Sequence, residues 1–272
     1  MFSQLQHYVI EHESILRLFS FIALILLFMI LEQFLPRRKS EHDIKYRRVN
    51  NLLLLGVNFL VVRLLVPLAT FQVAIFTHEN NVGLFNLFSL PLILNIVFTI
   101  VIFDLLIYLQ HVIFHKIRFL WNIHRVHHTD LEFDVTTGIR FHPFEIVISM
   151  FYKLVAVYLI GPVAFAIILY EILLNAAALF SHSNILLNSK LDSGLRMVIV
   201  TPDMHRIHHS VYQFETDSNY GNVFSFWDKL FHTYRPVPEA GYDDMVIGLN
   251  EFRDIKFGQF LQLLKTPFIK TG

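Results

Sequence analysis

The chain has 272 residues, of which 54% are hydrophobic and only 16% charged; ordinary soluble domains carry about a quarter charged residues, so a single water-soluble globule is excluded. A formal net charge of zero argues against nucleic acid as the main partner. With no cysteine, disulfides, zinc–thiolate sites, iron–sulfur clusters and thiol nucleophiles are all excluded, and the outlier is histidine, with fifteen residues unevenly spread.

A membrane span needs roughly 20 mostly apolar residues. Five stretches qualify in chain order: Ser14 to Leu35, Asn51 to Phe76 with Arg63 inside it, Leu84 to Phe114 with Pro91 near its start, Phe144 to Ile160, and Pro162 to Phe180. The last two are short and are split by Gly161-Pro162, which predicts a helical hairpin with its tip at that turn. The first span does not read as a signal peptide: its apolar run is long, no basic cluster precedes it, and no small-residue cleavage site follows.

Lys and Arg in the connections set the expected orientation. They are absent from residues 1–13 and 77–83 and from the Gly161-Pro162 turn. They are present as Arg37, Arg38, Lys39, Lys45, Arg47 and Arg48, then as Lys116, Arg118, Arg125 and Arg140, and throughout the tail after His182. The alternation places the amino terminus outside and the carboxyl terminus in the cytoplasm. The expected fold is therefore an all-α, multi-pass transmembrane bundle with a cytoplasmic, histidine-rich cap. Three regions follow: residues 1–50 as an N-terminal helix and basic loop, 51–235 as the membrane domain, and 236–272 as a cytoplasmic tail. Residues 250–265 are predicted to form an amphipathic surface helix.

Three histidine clusters stand out: His111-x-x-x-His115, His124-x-x-His127-His128 and His205-x-x-His208-His209. Residues three and four apart share a helix face, so each cluster presents imidazoles side by side, the arrangement a metal takes from one helix. All three clusters fall on the cytoplasmic side of the predicted topology, and His182, ending the fifth span, joins them there. His142 is a weaker candidate. His7, His12, His42 and His78 stand alone and read as structural. Eight or nine imidazoles exceed the needs of one ion, so two ions are expected. Imidazole suits iron, zinc, copper or nickel. A site at the end of apolar helices, facing unactivated C–H bonds, favours iron. Asp104, Tyr108, His111 and His115 lie on one face of the third span, and a carboxylate near the bilayer is costly unless used. Asp104 is therefore expected to orient a ligating imidazole, with Tyr108 and Asn175 tuning the site. Trp227 and Asp228 are expected to secure the cap.

These segments resemble the fatty acid hydroxylase and sterol desaturase superfamily of membrane di-iron enzymes. The resemblance rests on Asp104 through His115, Trp121 through His128, Thr201 through His209, and Asn219 through Tyr234, and covers roughly residues 95–235. The Thr-Pro and Asn-Tyr-Gly segments look most like the branch containing alkylglycerol monooxygenase. The resemblance implies a four-helix core with one extra N-terminal span, and two iron ions held by His111, His115, His124, His127, His128, His205, His208 and His209, with His182. Some members carry another histidine four residues before His182, where this chain has Ala178, so nine ligands is the expected limit. It further implies O2 as co-substrate, a membrane lipid (fatty acyl, sterol or ether lipid) that is hydroxylated or desaturated, and an external electron donor of cytochrome b5, ferredoxin or flavoprotein type. The sequence contains no Gly-x-Gly, hence no dinucleotide fingerprint, and no P-loop. A bacterial cytoplasmic membrane is favoured over the endoplasmic reticulum. Two rival readings stay open: zinc ions that only fix the cap, closed at four ligands each, and metal-assisted lipid hydrolysis with Glu132 or Asp134 as base.

Overall fold

The computed structural model describes residues 2–66, 68–88 and 90–270, with side chains from residue 4 onward. No strand occurs among the described residues. Helix α1 (Phe2–Glu11) precedes α2 (Glu13–Phe34), α3 (Ile44–Leu65), α4 (Thr70–Glu79), the single turn α5 (Leu84–Leu87) and α6 (Leu92–Lys116). Helices α7 (Arg118–His128), α8 (Pro143–Ile160), α9 (Ala164–Ser181), α10 (Ser189–Leu195) and α11 (Pro202–His208) follow. Among the described residues, five stretches are long and apolar enough to cross a membrane: α2, residues 44–87, α6, α8 and α9.

The second span departs from the uninterrupted run expected over residues 51–76. Its helix begins earlier, under an Asp43 cap that accepts from the Tyr46 amide, and breaks between α3 and α4. Val66, which precedes a proline in sequence, sits at φ −125°, ψ 77°, outside the helical region that such a residue disfavours. The third span likewise divides, with α6 starting only after Pro91, whose φ of −53° is already suited to the first turn. The stretch before the first span is helix α1, whose Val9 and Ile10 pack against the start of α9.

The hairpin of α8 and α9 turns at Gly161, whose φ of +67° lies where a side chain is strained. A Cβ on Gly83 would come within 2.6 Å of the Gly161 amide nitrogen, so the α4–α5 loop touches the hairpin tip there. Helix α9 is the central element, packed against α2, α4 and α6. Burying Phe103, Ala74, Val157, Ile167 and Tyr170 together, this packing forms the largest apolar cluster.

At the end of the bundle away from Gly161, the chain builds a polar cap. Glu32, at the end of α2, accepts from the amides of Val135 (2.7 Å) and Asn184 (2.8 Å) and pairs with Arg48 (2.6 Å). Arg47 makes two bonds to Asp130, at 2.7 and 2.9 Å, and a third to Asp134 at 3.2 Å. Arg140, fully buried, donates to the Val126 carbonyl, Asn51 and Thr129. Burial alone would raise the Asp130 pKa, but Arg47 and Arg140 beside it hold it well below the usual carboxylate range. The loop from Thr129 to Arg140 is thus fixed by charge and hydrogen bonds. Residues 250–265 differ from the single surface helix expected: two 3-10 turns lead into a short helix, Phe260–Lys265, and Phe252 and Leu263 are buried. Leu263 packs on Leu54 and Val126, and Arg125 donates to the carbonyls of Thr266 and Ile269, so this tail closes over α3 and α7.

Candidate metal centre

All nine histidines singled out in the sequence converge at the cap, but each His-x-x-His-His segment is divided between two groups. His111, His115, His124, His128 and His208 form one, and His127, His182, His205 and His209 the other; within each group one ring nitrogen per residue lies within 4.8 Å of all the others. Ligands on opposite sides of one ion at about 2.1 Å each are about 4.2 Å apart, so these separations are close to one coordination sphere. Helix geometry explains the division. On α7, His124 and His128 are one helical step of four apart, while His127 is rotated off that row and turns to the second group.

Four elements deliver these side chains. Helix α6 brings His111 and His115 in its last two turns, and Ile117, at φ −96° and ψ 113°, breaks the chain so that α7 can fold back. Helix α11 starts at a Thr201 cap with Pro202 in its first turn and carries His205 and His208, with His209 as its C-cap. His182 caps the end of α9, and Gly138 lies against it: a Cβ there would stand 3.2 Å from the His182 Cβ and 3.1 Å from the Ala178 carbonyl.

Hydrogen bonds fix which nitrogen faces inward. The Nδ1–H of His111 donates to the Tyr220 carbonyl (2.8 Å), that of His208 to Ser218 (2.7 Å), that of His182 to Ala178 (2.7 Å), and that of His124 to the Glu145 carboxylate (2.7 Å). In a neutral imidazole the Nε2 of each is then a bare acceptor. Those of His111 and His208, with that of His115, are buried and have no hydrogen-bond partner. The Nε2 of His182 is 3.0 Å from the Nε2 atoms of both His127 and His205, and those of His124 and His128 are 3.2 Å apart. Unpaired buried acceptors each cost about 1–3 kcal/mol, and several facing one point are the donor set a metal ion takes. Burial pushes the His208 imidazole down to about 3 and that of His182 to about 4, with neighbouring His124 acting in the same direction. His127, His128, His205 and His209 are lowered well below the ordinary value for the same reason. These six rings are therefore neutral near pH 7, the form that binds metal. The residues present fit two metal ions.

Other predicted positions take different places. Asp104 touches no imidazole: its carboxylate accepts from the amides of Val223 (3.2 Å) and Phe224 (3.0 Å) and from Trp227 Nε1 (2.9 Å), clamping the cap onto α6. Asp228 braces the cap segment itself, accepting from the amides of Tyr220 and Gly221 at 2.8 Å. Tyr108 bonds Thr233 at 2.8 Å and sets its ring edge-on to Tyr220, the residue whose carbonyl meets His111. His142 accepts from the Phe144 amide with Nδ1 and meets the Leu264 carbonyl with Nε2, so both its nitrogens are used at the start of α8. Glu132 is taken by His42 and the residue 41 and 42 amides, and Asp134 by Arg47, Arg48 and Thr136, which removes both as bases at the metal groups. Asp217 stands 3.6 Å from His115 Nδ1, and the carboxylate that hydrogen-bonds an imidazole of the site is Glu145, in the first turn of α8. Its one sequence signal is an acidic residue following His-Pro at the mouth of an apolar helix.

A cavity of about 440 Å³ runs from the histidines into the bundle. His111, His124, His127, His182 and His205 line one end, so it meets both groups. Leu55, Phe59, Val62, Ile107, Met150 and Leu174 line the rest, and Asn175 is on its wall. A second, polar cavity of about 370 Å³ reaches His115 from the cap side, past Trp121 and Asp217.

The profile of a family described as "Fatty acid hydroxylase" matches residues 96–233. The alkylglycerol monooxygenase of Homo sapiens is 31% identical over 150 residues, 55% of this chain and 32% of its own length. The ornithine lipid hydroxylase OlsE of Rhizobium tropici is 26% identical over 182 residues, 67% of this chain and 53% of its own length. The chain thus spans from about a third to about half of these relatives. No solved structure matches.

Proposed function

Because the chain belongs to the fatty acid hydroxylase family, we propose that it is a membrane di-iron oxygenase that uses O2 to hydroxylate a lipid. The observation that carries this reading is the apolar cavity ending on both imidazole groups, in which the Nε2 atoms of His111, His115, His208 and His209 are buried without partners. His111, His115, His124, His128 and His208 would hold one ion, and His127, His182, His205 and His209 the other. With O2 and two electrons, such an iron pair supplies the oxidant that an unactivated C–H bond requires. The balance is R–H + O2 + 2e⁻ + 2H⁺ → R–OH + H2O, and the electrons come from an external donor of cytochrome b5, ferredoxin or flavoprotein type.

The protein's own part is arrangement. Carbonyls of Tyr220, Ser218 and Ala178 and the Glu145 carboxylate hold four imidazoles in one tautomer and orientation. Burial keeps the rings of His127, His128, His182, His205, His208 and His209 neutral and free to ligate. The apolar wall holds the lipid chain and keeps water from the reacting carbon. A five-ligand group beside a four-ligand group also speaks against a pair of closed structural zinc sites, each of which takes four. From the alternation of basic connections, the cap and carboxyl terminus lie in the cytoplasm and the Gly161 turn outside, with the second cavity at His115 open toward the donor.

The test is metal content after purification in detergent from iron-supplemented cells, beside a His208→Ala/His209→Ala variant. About two irons per chain, at least one of them lost in the variant, with O2 consumed on chemical reduction by the unaltered protein alone, is the expected result. Two tightly held zincs, with no O2 consumption after reconstitution with iron, would leave a structural or hydrolytic site instead.

A further inference from the structure

The histidine end of the apolar cavity is ringed by polar groups that nothing in the protein satisfies. Asn58 and Glu145 are more than nine-tenths buried, at 5% and 6% exposure, and both line the cavity. The Asn58 amide nitrogen donates to the Phe141 carbonyl at 2.8 Å, which fixes its orientation and leaves its Oδ1 without a partner. Glu145 spends Oε1 on His124 and leaves Oε2 unpaired. Gln110, one residue before His111, is tied to Ser149 through its nitrogen and leaves Oε1 unpaired. The Asn222 side-chain nitrogen is likewise buried and unpaired on the same cavity. Lys153, further in, is already held by Glu171 at 3.2 Å.

Three buried acceptor oxygens and one buried donor without partners therefore face this space, whose remaining wall is mostly apolar apart from Ser149, Lys153 and Asn175. A hydrocarbon segment seated there would strand all four. An ether or ester, which only accepts, would satisfy Asn222 and strand the oxygens, and an ammonium, which only donates, would strand Asn222. We infer, resting on the lipid-oxygenase reading, that this cavity selects a lipid whose polar group both donates and accepts a hydrogen bond, a hydroxyl or a secondary amide. That group seats against Asn58, Gln110, Glu145 and Asn222. A site built to bond a substrate O–H or N–H rejects the analogue lacking it far more strongly than an apolar pocket rejects a change of size.

The test is equilibrium displacement of tritiated 1-O-hexadecylglycerol from the full chain in detergent, loaded with zinc so that no turnover occurs. The unlabelled competitors are 1-O-hexadecylglycerol against its di-O-methyl derivative, and N-hexadecylacetamide against its N-methyl derivative. At least one parent is expected to compete roughly tenfold better than its methylated partner, and the pair that discriminates names the group. An Asn58→Leu/Gln110→Leu variant should bring that ratio close to one, while Gln110→Glu, which keeps acceptor oxygens, should hold it. Equal competition within both pairs, no binding of the tracer, or a ratio unchanged in the double leucine variant would overturn the inference. A failure to find any oxidised product leaves this binding ratio untouched, so the two readings fail separately.

Discussion

His124 Nδ1 lies 2.7 Å from the Glu145 carboxylate across 21 positions of sequence, and this pair ties the helix that carries a histidine segment to the first turn of the next apolar helix. A carboxylate bonded to a ligating imidazole fixes its tautomer and raises its basicity, and losing it typically costs 10–100-fold in metal affinity. Glu145→Leu should weaken one of the two ions by that order, and Glu145→Gln, whose amide oxygen still accepts, by less. Chelator competition on the purified protein checks both.

The division of the histidines makes an unequal prediction for neighbours in sequence. His208→Ala leaves four imidazoles in its group and His209→Ala leaves three. His209→Ala should therefore lose one ion per chain under dialysis that leaves His208→Ala still holding two. Metal-to-protein ratios of the two variants, measured side by side, decide this.

Acid should destabilise the metal-free protein. Burial lowers the folded-state values of His208 to about 3 and His182 to about 4, below the unfolded value of about 6.5. Between those limits the unfolded chain binds more protons, so stability rises with pH there. The contribution is fully present above about pH 6.5 and is lost as pH falls toward 4. The thermal midpoint of chelator-treated protein should fall steadily across that window; a midpoint flat from pH 7 to 4 would contradict it.

The buried pair of Arg47 and Asp130 is far from any ligand in role but holds the loop that backs His182. Removing one partner of a buried pair costs roughly 3–5 kcal/mol. Asp130→Ala should lower the stability of the metal-free protein by that order, read as a fall in its thermal midpoint, and lower iron retention as well, although no imidazole is changed. A loss of iron with an unchanged midpoint would instead assign Asp130 to the metal site.

Asp104 gathers three donors from the segment Val223–Trp227. Asp104→Ala strands them and should free this part of the cap, read as a red shift of Trp227 emission and easier proteolysis near Phe226. Trp121 is the chain's other tryptophan, so a Trp121→Phe background isolates the signal.

The sequence carried the histidine site further than it carried the fold around it. Spacing of three and four made eight of the imidazoles visible, because a metal site would constrain residue type and local periodicity together; His182 stood out only by its place at the end of the fifth span. How the imidazoles divide was not visible: His127 and His128 are adjacent, and their separation into two groups depends on where α9 and α11 arrive. Asp104 shared a helix face with His111 and His115, and that face reads equally as support for an imidazole or as an anchor for a distant segment. Its partners lie about 120 positions away, at residues that no local pattern links to it. Glu145 was hidden for the same reason. The break between α3 and α4 was disguised by hydropathy, which continues unchanged through a backbone interruption.

The most direct test of the central reading is isotopic. Cells expressing the protein, or its His208→Ala/His209→Ala variant, would be grown under ¹⁸O2 and their lipids compared by mass spectrometry. The account predicts a lipid present only with the unaltered protein and carrying one ¹⁸O atom in a new hydroxyl group. A new lipid whose oxygen comes from water, or identical lipids with and without the histidines, would contradict it.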